Sequence, residues 1–225
     1  MSDGFFYEEK MRVFLSFICL FYLAGCASTP DPLLAGHADD LKNYKRFGVC
    51  YGYACKHYQK TGLSDQEWQA VREIFVPEVS SAKQERERIS KAIALIEQFV
   101  GPKTGTDHDR ARAPVINFNT GTEMDCIDES TNSTSYLYLL RQDGLIRFHT
   151  LGAKLRRNWS DLSYPHSTAT IHEIDKDKII EGDGHFVVDS WFHENGALAE
   201  IIPADVWRGP WYPKDHKVRY NFSAS

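Results

Sequence analysis

The chain has 225 residues, of which 25% are charged and 13% aromatic, and its formal net charge is −5. This composition is typical of a globular protein that is long enough for one hydrophobic core. The acidic balance excludes the basic electrostatic surface by which a domain binds nucleic acid. We therefore expect no nucleic acid among its partners.

The first 25 residues have the organisation of a cleaved secretory signal peptide. Residues 13–24 are almost wholly apolar, follow Arg12, and form a run too short to span a bilayer as a mature helix. Acidic side chains among the first ten residues suit a positively charged leader poorly, so we interpret Met11 as the true start. One interpretation of this segment is an ordinary signal peptide that is followed by a cysteine, Cys26, by chance.

The junction Leu23-Ala24-Gly25-Cys26 resembles the lipobox of bacterial lipoproteins. The resemblance implies that Cys26 is lipidated, with chains such as palmitate, and anchors the protein to the membrane of the cell envelope. Residue 27 is alanine rather than aspartate, which by the sorting rules of enterobacteria favours the outer membrane, facing the periplasm. Residues 26–36 then form a lipidated tether, and residues 37–225 form a single globular domain.

The five cysteines have different expected fates. Cys19 falls in the removed peptide and Cys26 is lipidated. Cys50 and Cys55 lie close together, so in an oxidising compartment we expect a disulfide, with a metal pair as the alternative. Cys126 is then left as an unpaired thiol in an exported protein, which is a reason to suspect reactivity.

Two helices are predicted before residue 103. Ser64 to Glu67 form a capping box, and apolar residues on one face follow until Pro77 ends the helix. The second helix begins near Ser80 or Ser81, and Gly101 with Pro102 supply its stop signals.

The pattern changes after Pro114. We predict a strand from Val115 to Phe118, a helix over residues 126–141, and three strand-like runs. The runs are residues 145–151, 166–174 and 185–192. The predicted fold class is α+β, with N-terminal helices and a central cysteine-bearing helix packed on an antiparallel sheet.

Cys126 lies between Asp125 and Asp128, where a loop becomes a helix. Asp125 is predicted to cap the helix, which places Cys126 at the positive end of the helix dipole and favours the thiolate. The carboxylates of Asp125, Asp128 and Glu129 act in the opposite direction. A reactive Cys126 therefore requires a neighbouring histidine.

His166 and Asp189 are the predicted partners. His166 opens a strand, and Asp189 follows three apolar residues of the next strand, where a buried carboxylate needs a partner. An acid on the neighbouring strand would fix the tautomer of the imidazole.

The ordered set of Cys126 at a helix start, His166 at a strand start and Asp189 on the following strand resembles the transglutaminase-like branch of the papain-like superfamily. The resemblance covers a catalytic-like core of residues 114–195. Relatives often carry an aromatic residue two positions after the histidine, where this chain has Thr168, so the acyl-binding surface is expected to differ.

The resemblance implies a cysteine peptidase, amidase or acyltransferase that needs no cofactor. Cys126 would attack a carbonyl carbon and form a thioester, His166 would move the proton, and Asp189 would orient His166. Asn119 is the candidate side chain for an oxyanion hole, together with the N–H of Cys126. The peptide or protein substrate is not identified by the sequence.

Several alternatives remain open at this stage. His149 and His172 could replace His166 as the base. His185, Asp189 and His193 could form a metal site instead, although no recognised ligand motif is present. The domain could also be a binding or scaffolding module without turnover. Three tryptophans near the C-terminus are interpreted as packing residues: Trp191, Trp207 and Trp211.

Overall fold

The computed structural model describes residues 40–113, 121–158, 164–215, 217 and 219–222. All of them belong to the unit Asp31–Ser225. The predicted signal peptide, Cys26, and the predicted strand Val115–Phe118 lie outside the described residues. Within the described ranges, no helix is both long and apolar enough to cross a membrane.

The described residues form a mixed α+β fold with an antiparallel sheet, as the sequence predicts, and they include four α-helices where three were predicted. In chain order the elements are β1 (Phe47–Tyr51), β2 (His57–Thr61), α1 (Asp65–Glu73), α2 (Ala82–Thr104), α3 (Cys126–Gln142), β3 (His149–Leu151), β4 (Leu155–Arg157), β5 (His166–Glu173), β6 (His185–Asp189), β7 (Glu200–Pro203) and α4 (Ala204–Arg208). A short 3-10 turn, Lys176–Lys178, connects β5 to β6.

The N-terminal part of the domain is not only helical, because β1 and β2 form an antiparallel hairpin before α1. Phe47, Val49 and Cys50 are buried on β1, whereas β2 is partly exposed. The Cys50–Cys55 disulfide closes the connection between the two strands. Of the two alternatives for this cysteine pair, the disulfide is therefore the one that the structure shows.

Helix α1 begins as predicted, since Ser64 and Glu67 form the complete capping box. Helix α2 begins after its cap Ser81 but does not stop at Pro102, as the sequence suggested; it continues to Thr104. Proline removes only one amide donor there. The helix ends at Gly105, whose φ of 77° provides the left-handed conformation typical of a helix C-terminus.

The main sheet has the order β3-β5-β6-β7, and β4 pairs with the N-terminal half of β5 on the same side as β3. Strand β3 is shorter than predicted because the N–H groups of Arg147 and Phe148 bind the Glu85 carboxylate instead of a neighbouring strand. Strand β6 ends at Asp189, after which the chain turns.

Helix α3 packs against β1, β5, β6 and α2 and is buried along most of its length. Five of its twelve buried side chains are small hydroxyls, and four of these donate to backbone carbonyls one turn earlier. Thr131 donates to the Ile127 carbonyl at 2.6 Å and Thr134 to the Ser130 carbonyl at 2.6 Å. This internal bonding allows a polar helix to lie in the core. The fold thus places the first residue of α3 beside the first residue of β5.

Candidate functional site

Cys126 is the first residue of α3 and is partly exposed. Asp125 precedes it as the predicted cap, with one carboxylate oxygen accepting the N–H groups of Ile127 and Asp128, each at 2.9 Å. Asp128 completes the capping box by accepting the N–H of Asp125. The two aspartates that flank the cysteine in sequence therefore build the helix start.

The disulfide loop binds the same two carboxylates. Gly52, Tyr53, Ala54 and Cys55 all have positive φ angles between 54° and 81°. Consecutive left-handed residues direct their N–H groups toward one side, which suits an anion. The N–H groups of Tyr53 and Cys55 bind Asp128 at 2.8 and 2.6 Å, and that of Ala54 binds Asp125 at 3.0 Å. The loop thereby fixes the helix start that carries the thiol.

His166 and Asp189 are brought together as the sequence predicted. Nε2 of His166 lies 2.7 Å from Oδ2 of Asp189, and each residue is 2% exposed. Oδ2 also accepts the indole N–H of Trp207 at 2.8 Å. The imidazole packs against the rings of Trp191, Phe192 and Trp207, with centroid separations of 4.5 to 5.5 Å. Its position is therefore set by both packing and hydrogen bonding.

The other ring nitrogen of His166, Nδ1, contrasts with Nε2. Nδ1 is buried and has no hydrogen-bond partner within the described parts of the chain. Because an ionised carboxylate can only accept, Nε2 carries the proton in the neutral ring and Nδ1 is left as an acceptor. Cys126 and His166 line one cleft, of about 770 Å³. The N–H of Ser167, the residue after His166, is close enough to favour the Cys126 thiolate.

The thiol itself is not the low-pKa group that the helix dipole and a nearby imidazolium were expected to produce. Burial raises the pKa of Cys126 to about 11, and the charges of Asp125 and Asp189 act in the same direction, against the Ser167 N–H. Cys126 is therefore protonated at neutral pH in the resting protein. Any nucleophilic role requires a base that removes its proton during attack.

A buried hydrogen-bond chain ties α3 to the end of β6. Ser190 follows Asp189 and donates to Glu129 Oε2 at 2.6 Å. Its hydroxyl also lies 3.1 Å from that of Ser133. Burial raises the pKa of Glu129 to about 7, opposed by the bond from Ser190. Glu129 lies one helical turn after Cys126, so this chain holds the thiol and the His166 partner in fixed relative positions.

The rival metal site is not assembled. His193 Nε2 binds Glu200 at 2.7 Å, His185 stacks on His172 with ring centroids 4.0 Å apart, and Asp189 serves His166. Over the described ranges, no group of three or more His, Cys, Asp or Glu is arranged to hold a metal ion.

The alternative bases lie elsewhere. His149 is fully buried, and its Nδ1 lies 2.8 Å from Glu85 on α2. His172 pairs with His185 near the opposite end of β5 from His166. Neither residue lines the cleft that contains Cys126. The oxyanion candidate, Asn119, lies outside the described residues.

Sequence reasoning missed residues that complete this site. Trp207 was assigned to packing, but its indole N–H also holds the Asp189 carboxylate. Arg112 and Arg156 line the cleft and were not singled out. No periodic pattern in the sequence identifies Trp207, Arg156 or Arg112. The first two lie on the short elements α4 and β4, and Arg112 lies in a loop. The sequence offered one indication of the role of Trp207. Asp189 was expected to be buried and to need hydrogen-bond partners, and a tryptophan N–H further along the chain could supply one.

No family model matches the chain, and no curated protein or solved structure is significantly similar to it. The geometry of the site therefore carries the functional assignment alone.

Proposed function

We propose that this domain is a cysteine hydrolase or acyltransferase that acts on amide or ester carbonyls through a thioester on Cys126. The observation that carries the proposal is the state of His166. Its Nε2 is held by Asp189, its buried Nδ1 has no partner within the described residues, and it shares a cleft with the free thiol. An oriented imidazole with one open acceptor and a free thiol in the same cleft supply the base and the nucleophile of nucleophilic catalysis, and their hydrogen bond would form as substrate binds.

The reaction would proceed by transfer of one proton at each stage. As Sγ of Cys126 bonds to the carbonyl carbon, Nδ1 of His166 takes the thiol proton. The carbon–nitrogen or carbon–oxygen bond then breaks, and Nδ1 gives that proton to the leaving group. Water or an amine attacks the thioester, passes a proton to Nδ1, and the thiol is regenerated with it. Asp189 stabilises the imidazolium formed in between without itself taking the proton.

The helix start would stabilise the oxyanion. The cap of α3 uses the N–H groups of Ile127 and Asp128, whereas the N–H of Cys126 lowers the pKa of its own thiol. A carbonyl carbon bonded to Sγ would place its oxygen near this donor and near the positive end of the helix dipole. The high thiol pKa makes deprotonation concerted with attack, rather than a step completed beforehand.

The arrangement also supports the transglutaminase-like, papain-like assignment as a proposal. A cysteine at a helix start packs on an antiparallel sheet, with the histidine and the acid on its adjacent central strands β5 and β6. We further propose that the domain is anchored to the cell envelope by acyl chains on Cys26. The Cys50–Cys55 disulfide is compatible with that oxidising location.

Reaction with p-nitrophenyl acetate tests this function without knowledge of the natural substrate. In the full chain we expect a burst of p-nitrophenolate, one acetyl group on the peptide that contains Cys126, and slower continued turnover. Cys126→Ala should abolish both the burst and the turnover. Peptide mapping separates Cys126 from background acetylation of lysines. Equal turnover by the wild type and Cys126→Ala would refute the hydrolase assignment.

A binding module without turnover is the second candidate, and the raised pKa of Cys126 is the observation that favours it. A thiol that stays protonated can line a cleft without reacting. On this alternative, p-nitrophenyl acetate would leave Cys126 unmodified, and Cys126→Ser would retain whatever biological role the protein has.

A further inference from the structure

The cleft beside Cys126 is large enough for more than a reacting carbonyl group. Its volume of about 770 Å³ lies within the range of small-molecule and peptide pockets. Apolar and aromatic side chains form much of the wall: Ile127, Tyr164, Pro165, Trp191 and Tyr212. Such a wall would bury the body of an acyl substrate but would not select among substrates by charge.

The charged residues of the cleft differ in the hydrogen bonds and ion pairs that their side chains form. The Asp125 carboxylate accepts three backbone N–H groups, and buried Arg157 donates to the carbonyls of Trp207 and Trp211. Arg112 and Arg156 are instead exposed, and neither forms an ion pair within the described part of the chain. Two guanidinium groups therefore face one cleft of a protein whose net charge is −5.

Arg156 lies in the same cleft as Cys126 and is held by the residue after His166. It pairs with Ser167 across β4 and β5, and its Nε lies 3.2 Å from the Ser167 hydroxyl. The N–H of the same serine lies close enough to Cys126 to lower the pKa of its thiol. The remaining donors of Arg156 are thereby kept close to the point where the acyl group bonds to sulfur.

Arg112 is held by the segment that follows β6. Its N–H donates to the carbonyl of Trp191 at 2.9 Å, and its guanidinium lies over the Phe192 ring at 5.8 Å. Its φ of 57° is a left-handed conformation that non-glycine residues adopt only at an energetic cost. The strained backbone keeps a second cation at the cleft.

We propose that this cleft selects acyl substrates that carry a free carboxylate close to the scissile carbonyl, with Arg156 and Arg112 as the groups that bind it. The inference rests on the proposed thiol chemistry and adds the substrate class. Guanidinium groups bind carboxylates through paired, charge-assisted hydrogen bonds, and an apolar wall reduces their screening by solvent. The net negative charge of the chain would otherwise repel such substrates.

Two alkylating reagents that differ only in charge test this selection. Iodoacetate carries a carboxylate and iodoacetamide a neutral amide, and in both the thiolate displaces iodide from the same carbon. The iodoacetate-to-iodoacetamide rate ratio at Cys126, divided by the same ratio for a small free thiol, should be roughly tenfold above unity. The ratio should fall as ionic strength rises.

Arg156→Gln should reduce this ratio to near unity, whereas Arg208→Gln, the same charge change at an exposed site outside the cleft, should leave it unaltered. An unfolded Cys126 would react like a free thiol and would also give a ratio near unity, so circular dichroism must first show that Arg156→Gln is folded. A wild-type ratio near unity, or one unaffected by both Arg156→Gln and Arg112→Gln, would overturn the carboxylate proposal. Acetylation of Cys126 by p-nitrophenyl acetate would still test the proposed thiol chemistry independently, because that reagent carries no carboxylate.

Discussion

Replacing Asp189 with alanine should lower the turnover of p-nitrophenyl acetate at Cys126 by roughly 10²- to 10⁴-fold. Asp189 accepts the Nε2 proton of His166 at 2.7 Å and so keeps Nδ1 as the proton acceptor. Without the carboxylate, the ring loses both its tautomer and the charge that stabilises the imidazolium. Steady-state release of p-nitrophenolate measures the effect, with circular dichroism to verify folding. A loss of less than about threefold would remove Asp189 from the mechanism.

Asp189→Asn should retain more activity than Asp189→Ala, because of Trp207. The indole N–H can only donate, and it binds the same Oδ2 atom that His166 uses. An asparagine oxygen placed there satisfies both donors and preserves the tautomer, so only the negative charge is lost. In Trp207→Phe this constraint is absent, and Asp189→Asn should then be as inactive as Asp189→Ala. Equal activities of the two Asp189 variants in the wild-type background would show that Trp207 does not fix the side chain.

The largest expected loss of stability is at Glu85, which is fully buried on α2. Its carboxylate accepts the backbone N–H groups of Arg147, Phe148 and His149 and lies 2.8 Å from Nδ1 of His149. In Glu85→Ala these donors are left buried without an acceptor. We expect the free energy of unfolding to fall by about 3 to 5 kcal/mol.

Urea unfolding of Glu85→Ala and Glu87→Ala measures this difference. Glu87 is an exposed residue two positions away on the same helix, so its replacement should change the free energy of unfolding by less than about 0.5 kcal/mol. In thermal unfolding, each kcal/mol corresponds to roughly 2–4 °C at this chain length. Comparable effects of the two variants would show that the carboxylate of Glu85 does not hold the segment before β3.

The parts of the site that follow from local rules were predictable from sequence. A cap, Asp125, followed by Cys126 marks a helix start, and Pro165 followed by His166 marks a strand start. The end of β6 at Asp189 was not predicted, since the strand-like run extended to residue 192. These signals depend on neighbouring residues alone. Their meeting in space follows from the antiparallel pairing of β5 with β6, which the order of the strand-like runs also suggested.

Features set by tertiary packing were not predictable. The raised pKa of Cys126 depends first on burial, which a list of neighbouring acids does not reveal. The residues from Tyr53 to Cys55 have positive φ angles, but none of them is a glycine, the residue that usually indicates this conformation in a sequence. Strand β4 has only three residues, too few for a pattern, yet it carries Arg156 into the cleft. In each case the deciding partner is distant in sequence.

The proposed mechanism depends most on proton transfer from Cys126 to Nδ1 of His166, and the rate of Cys126 alkylation by iodoacetamide at pH 7 measures this transfer. A thiol with a pKa of about 11 is almost wholly protonated at that pH, so reaction needs the imidazole as a base. His166→Gln nearly keeps the side-chain volume and can still donate to Asp189, but it cannot take the proton. We predict that this variant reacts at least about tenfold more slowly than the wild type. Equal rates would mean that the reactivity of Cys126 does not depend on His166, and would contradict the account.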